Sequence, residues 1–98
     1  MTLTVEHQLG LLHDILDDHL SESDGNVSEY MQIKRIVKTI MATNQLAHST
    51  LVQQLPDIYQ YGLQGESAVN LQELIQTNEQ QIMNWKTAIQ QASPKYYF

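Results

Sequence analysis

Leu71, Ile75, Asn78, Ile82, Trp85, Ile89 and Ala92 recur at alternating spacings of four and three. At about 100° per residue, positions so spaced form one narrow stripe on an α-helix. The stretch is punctuated at both ends. Asn70 stands as a cap with Glu73 three residues on, where a capping box places its acid. Pro94 disfavours helix at Ser93. Between these signals lie about 22 residues, or roughly 33 Å of helix. A stripe of that length needs other helices to cover it. Asn78 is the polar residue in the seam, and two readings stay open for it: a wet edge, or a contact that fixes register against another helix.

The rest of the chain supplies three more helical segments. The first spans about 5–20, with Thr4 as cap and Val5, Leu9, Leu12, Leu16 and Leu20 on one face. Leu11 and Ile15 fall on a second ridge, roughly 100–140° around the helix. That ridge meets either a second neighbour inside the chain or another chain. A turn with Asp24-Gly25 follows. Asn26 caps the second helix, 27–43, with Glu29 completing a capping box. Its apolar face carries Tyr30, Ile33, Ile36, Val37, Ile40 and Met41, with Lys34 and Lys38 at the rim and Arg35 further round.

The third segment, 47–64, presents Leu51, Val52, Leu55, Ile58 and Tyr59 on one side. Pro56 interrupts it, and a proline inside a helix removes a hydrogen bond and clashes with the preceding turn. The apolar pattern continues in phase, so the expectation is a helix kinked or split at Pro56. Gly62 and Gly65 bracket its end, with Gly65 as the C-terminal stop. No stretch alternates with the period of a strand. The predicted fold is all-α: one domain over 1–98, an antiparallel up-down-up-down four-helix bundle with helices at about 5–20, 27–43, 47–64 and 71–92 and an aromatic tail at 93–98. In that arrangement the acids of the first helix approach Lys34 and Lys38 of the second, in surface pairs of about 0–1 kcal/mol each.

Composition narrows the function. No apolar run approaches the ~18–20 residues of a membrane span, and Met1-Thr2-Leu3-Thr4 lacks the order of a signal peptide. The chain has no cysteine, which excludes a disulfide framework, a thiolate zinc site and a cysteine nucleophile. A cytoplasmic protein is expected. The formal charge is −6. Residues 1–26 carry Glu6, Asp14, Asp17, Asp18, Glu22 and Asp24 without a Lys or Arg, whereas 27–43 carry Lys34, Arg35 and Lys38 against Glu29. This balance repels phosphates and anionic membranes, and three cations in an acidic chain make a poor nucleic-acid footprint. Neither a nucleic-acid nor a membrane partner is expected.

Several short runs resemble one family. They are His7-Gln8, Leu12, Asp14-Ile15-Leu16, Asp18-His19, Gly25, Val27-Ser28-Glu29 and the Tyr-Xaa-Tyr-Gly-Xaa-Xaa-Gly run from Tyr59 to Gly65. Together they look like the YtzH-like family, over Leu3 to about Ile89. The resemblance implies a short bacterial cytoplasmic protein with one helical domain. It implies no mechanism, because none of these motifs is a catalytic signature. The family pattern often carries a cysteine pair where this chain has Ser23-Asp24, so no thiol or metal role transfers to those positions.

Candidate chemistry centres on His13-Asp14-Ile15-Leu16-Asp17-Asp18-His19. His13 and Asp17 share a helix face, as do Asp14 and Asp18, and imidazole with carboxylate suits zinc, manganese or iron. His19 lies closer to the apolar stripe and cannot join them on a straight helix. A metal site in a bundle draws ligands from several helices, and the other segments offer no matching motif. No cofactor is expected. His48 reads as a boundary residue and His7 as exposed. No nucleophile is framed by a motif, and Gly62 and Gly65 lack the phosphate-loop patterns. Tyr96, Tyr97 and Phe98 close the chain with apolar surface that either folds back or docks on another subunit; aromatics are enriched in interface hot spots.

The functional expectation is an acidic, non-enzymatic interaction module with a protein partner or a second copy of itself. Its contact residues would be Leu11, Ile15, Tyr96, Tyr97 and Phe98. The alternatives are a metal-binding bundle protein or enzyme using His13, Asp14, Asp17 or Asp18, and an adaptor whose acidic first helix binds a basic partner.

Overall fold

The structure is a computed structural model and describes residues 5–22, 26–43 and 50–92. Among these the chain is all helical. The helices are α1 (Val5–Glu22), α2 (Val27–Thr43), α3 (Thr50–Ser67), α4 (Leu71–Thr77) and α5 (Glu79–Ala92). Thr4, the Asp24-Gly25 turn, His48 and the tail with Tyr96, Tyr97 and Phe98 lie outside the described residues. None of the described helices is long and apolar enough to cross a membrane.

The caps form as their residue types require. The Glu29 N–H donates to Asn26 Oδ1 at 3.0 Å, and the Asn26 N–H donates to Glu29 Oε1 at 3.1 Å. This reciprocal pair satisfies donors that a helix start leaves orphaned. Asn70 is extended (φ −131°, ψ 102°) and accepts from the Glu73 N–H at 3.1 Å.

Three expectations about the helices are corrected. The last segment is two helices, α4 and α5, broken at Asn78. Its amide Nδ2 donates to the Leu74 carbonyl at 2.9 Å, and its backbone N–H reaches the carbonyls of Leu74 and Ile75 at 3.1 Å. Such side-chain bonding to the preceding turn competes with regular helix, and Asn78 leaves the helical region (φ −102°, ψ 11°). Asn78 is half-buried, in keeping with an edge position, and its side chain turns its own chain where a register contact with another helix was the alternative. The stripe survives the break, with Ile75, Ile82, Trp85 and Ile89 all buried.

Of the two arrangements expected at Pro56, the split is the one that the structure corrects. The helix runs unbroken from Thr50 to Ser67 with the proline on its exposed side. An interior proline costs about 3 kcal/mol. Leu51, Leu55 and Ile58 are fully buried around it, and each contributes about 1.5–3 kcal/mol, so packing wins.

Gly62 and Gly65 are likewise interior positions of α3, not its end. Each costs the helix about 1 kcal/mol against alanine. The reason for them lies across the interface with α2. A Cβ on Gly65 would stand 2.0 Å from the ring of Tyr30, and one on Gly62 would stand 2.6 Å from Cγ of Lys34 and 3.2 Å from the Tyr30 carbonyl oxygen. The two glycines lower the surface of α3 so that α2 can press against it.

The helices meet as antiparallel neighbours. Tyr30 lies opposite Gly65 while Lys34 lies opposite Gly62 and pairs with Glu66, so α2 and α3 run in opposite directions. His13 meets Gln90 while Asp17 meets Lys86, which sets α1 antiparallel to α5. Contacts also join α1 to α2 and α3 to α5. All five helices feed one core, from Leu9, Leu12, Ile15 and Leu16 on α1 to Trp85 and Ile89 on α5. Ile15, expected on a second ridge, is 8% exposed and belongs to this core, whereas Leu11 is 45% exposed. Met41, expected on the apolar face of α2, is 49% exposed.

A single methyl at Gly65 has nowhere to go but into a buried ring, whereas at Gly62 the flexible Lys34 side chain can yield. Gly65→Ala is expected to lose about 1–3 kcal/mol of stability through overpacking. Gly62→Ala loses less, because helix propensity returns up to about 1 kcal/mol. Urea unfolding followed by circular dichroism checks the order.

Candidate functional site

Four helices each contribute one ring to a buried cluster: His19 from α1, Tyr30 from α2, Tyr61 from α3 and Trp85 from α5. Ring centroids lie 5.0 Å apart for His19 and Tyr30, 5.0 Å for Tyr30 and Tyr61, and 5.5 Å for Tyr61 and Trp85. The Tyr30 and Tyr61 rings meet edge-on at 65°, the favoured geometry for aromatic pairs, worth about 0.5–1.5 kcal/mol beyond area burial. His19 and Tyr30 are wholly buried and Tyr61 is 1% exposed.

The polar atoms of the cluster are connected. Tyr61 Oη lies 2.8 Å from His19 Nδ1 and 3.0 Å from Tyr30 Oη. His19 Nε2 lies 3.5 Å from Glu29 Oε1, within electrostatic reach but longer than a good hydrogen bond. The carboxylate selects the direction of the chain. With the imidazole proton on Nε2, facing Glu29, the Nδ1 lone pair accepts from the Tyr61 hydroxyl, and the Tyr61 oxygen accepts from Tyr30. The opposite tautomer would set the Nε2 lone pair against the carboxylate. Glu29 thereby serves twice, as the capping acid of α2 and as the anion beside His19.

Burial pushes both phenols above their ordinary value of 10.0, Tyr61 far above it and Tyr30 to a lesser degree, where the Tyr61 hydrogen bond works in the opposite direction. A phenol held neutral by the fold stabilises fully below the unfolded-state value, and that contribution drains away as pH rises above it. The cluster is buried, and its hydrogen bonds join α1, α2 and α3.

The residues singled out as a metal cluster are dispersed. His13 is buried against α5, where the Gln90 amide lies 3.2 Å from its Nε2, and its Nδ1 lies 3.5 Å from Asp14. Asp17 is taken by Lys86 of α5, and that hydrogen bond holds its carboxyl below the ordinary 3.8. The pair is part-exposed, so its contribution is at most about 1 kcal/mol. Asp14 and Asp18 face outward on α1. The i, i+4 spacing that suggested a ligand pair instead builds a polar ladder between α1 and α5. Among the described residues no group of three or more His, Cys, Asp or Glu side chains converges as a metal site would require. The ion pairing expected between α1 and α2 is also rearranged: Lys34 pairs with Glu66 of α3. His19 does sit apart from His13 and Asp17, and His7 is exposed, as expected.

A second feature lies on the outer side of α2 and α3. Two adjoining depressions share Lys38 and Tyr59; one is closed by Met41 and Pro56, the other by Met31 and Arg35. Met31 and Met41 are about half exposed, at 48% and 49%. Arg35 and Lys38 have no ion-pair partner among the described residues. Three of the five Lys and Arg residues of the chain stand in this stripe.

Sequence reasoning missed the partnership of Tyr61 with Tyr30 and His19. Two signals pointed to it. His19 continues the Leu12, Leu16 spacing, which places a polar ring in the core. Tyr61 and Gly65 are four apart, so they share a face on which only a closely approaching neighbour requires glycine.

These connections predict an order of costs. Tyr30→Phe removes the terminal hydroxyl of the chain and is expected to lose about 1 kcal/mol, whereas Tyr61→Phe strips a partner from both neighbours and loses about 2 kcal/mol or more. In an alkaline titration of the wild type, the last tyrosines to ionise, read by absorbance, do so together with loss of helix.

The run from Tyr59 to Gly65 is thus an account of how α3 receives α2, and it lies within the span that the family comparison covers. The YtzH-like protein family matches residues 3–89. A protein of Bacillus subtilis (strain 168) named Uncharacterized protein YtzH is 38% identical over 85 residues, covering 87% of this chain and 91% of that protein. No solved structure matches the chain. With nearly its whole length matched on both counts, the chain belongs to the YtzH-like protein family.

Proposed function

We propose that the protein is a non-catalytic, cytoplasmic interaction module that self-associates, built as an antiparallel up-down-up-down bundle in which α4 and α5 together form the fourth arm. The observation that carries this reading is the division of labour among its polar groups. The histidine and phenols best suited to chemistry, His19, Tyr30 and Tyr61, are consumed inside the core. Among the apolar side chains left in solvent, Leu11 on α1 and Met31 and Met41 on α2 stand on surfaces that also carry charge. Large apolar side chains rimmed by charge are what association surfaces present, and methionine adapts readily to a partner. Ile15 drops out of the proposed contact because the core of the single chain already covers it. Leu11 remains.

Native mass spectrometry on untagged protein, purified without chelators, tests the reading. The expected result is an oligomer without bound mass. A monomer at high protein concentration contradicts self-association, and a stoichiometric metal or small molecule contradicts the non-catalytic, ligand-free reading and returns attention to His13 and Asp17.

A further inference from the structure

We propose that the groove between α2 and α3 receives the acidic outer face of α1 from a second copy of this chain. This rests on the self-association reading and specifies its contact. Leu11, Asp14 and Asp18 follow spacings of three and four, which puts them within about 60° of one another on α1. All three are exposed, Leu11 at 45% and the Asp14 side chain at 71%. That face therefore offers one apolar side chain beside two carboxylates. The groove offers the complement. Met31, Met41 and Tyr59 supply apolar surface, and Arg35 and Lys38 supply two cations left unpaired among the described residues.

The dimensions agree. Asp14 and Asp18 are separated by about 6 Å along their helix, and Arg35 and Lys38 by about 4.5 Å along theirs. Two helices laid side by side thus bring both pairs within reach, while Leu11, about 4.5 Å beyond Asp14, meets one of the two methionines that flank the cations. The overall charge argues the same way. At −6, two copies repel on average. A contact between them needs a local reversal of sign, and the α2 stripe concentrates most of the cations the chain has. Asp17, which lies between Asp14 and Asp18 in sequence, is bound to Lys86 within its own chain. Asp18, and Asp14 beside His13 with most of its side chain exposed, face solvent.

The experiment is a charge swap on the full chain, read by sedimentation equilibrium at low and physiological salt, with circular dichroism confirming helix content. All four positions are exposed, so the fold does not depend on them. Arg35→Glu with Lys38→Glu is expected to weaken association at least about tenfold, and so is Asp14→Lys with Asp18→Lys. The chain carrying all four substitutions is expected to regain most of the loss, and added salt to weaken the wild type. The milder pair Arg35→Gln with Lys38→Gln gives a smaller loss if repulsion between reversed charges disturbs the helices. Wild-type association that ignores both reversals overturns this contact while leaving self-association standing. Losses that the fourfold variant does not recover also overturn it. A wild type that stays monomeric at both salt concentrations overturns the contact and the self-association reading together.

Discussion

The Tyr30 ring pressed onto Gly65 is the constraint around which this structure is organised. The contact leaves no room for even a methyl group on α3. Because α2 can come this close, the Tyr30 hydroxyl arrives 3.0 Å from that of Tyr61, and Tyr61 in turn reaches His19 on α1. The same Tyr61 ring packs against Trp85 of α5. One steric fact on α3 thus sets the depth at which four helices meet. The glycines that permit it each weaken the isolated helix by about 1 kcal/mol, as does Pro56 by about 3 kcal/mol. α3 is consequently a helix that depends on its neighbours, held by the buried side chains on its inner face.

Polar groups complete what the packing begins. The chain of hydroxyls ends on an imidazole whose other nitrogen faces Glu29, and Glu29 also closes the cap of α2. The end of α1 and the start of α2 are therefore tied through one carboxylate. At the opposite edge of α1, His13 with Gln90 and Asp17 with Lys86 align α5 in the antiparallel sense. A buried polar chain of this kind favours one arrangement of helices over others, because a slip of a single turn would leave several buried groups without partners. On the surface, Asp14 and Asp18 of α1 and Arg35 and Lys38 of α2 stand exposed.

Much of this was legible in the sequence, and the failures have specific causes. Period and caps located the four helical segments but not the break that divides the last into α4 and α5, and Asn26 with Glu29 behaved as a capping box does. The apolar stripes of the four segments together named most of the core. What did not follow was how local breakers would act. Pro56 and Gly65 carry strong local penalties, yet the burial of Leu51, Leu55, Ile58 and Tyr61 outweighs them. Asn78 was read for contacts outside its helix, whereas its amide bonded the preceding turn. The His13 and Asp17 spacing was real, but only the register of α1 against α5 decided whether it served a ligand or a neighbouring helix. Charge pairing failed for the same reason: Lys34 met Glu66 of α3 and not an acid of α1. Spacing reveals which residues share a face. What that face meets is set by the packing of the whole chain.

The most direct test of this account is a double-mutant cycle between Tyr30 and Gly65. Stability is measured for the wild type, Gly65→Ala, Tyr30→Ala and the double variant, in a stabilising osmolyte so that every variant stays folded. If the glycine is there to admit the Tyr30 ring, the penalty of Gly65→Ala vanishes once the ring is gone. Alanine then becomes neutral or better by up to about 1 kcal/mol, its ordinary advantage in a helix. A Gly65→Ala penalty of the same size in both backgrounds would show that the two positions are independent, and would remove the contact on which this description of the fold rests.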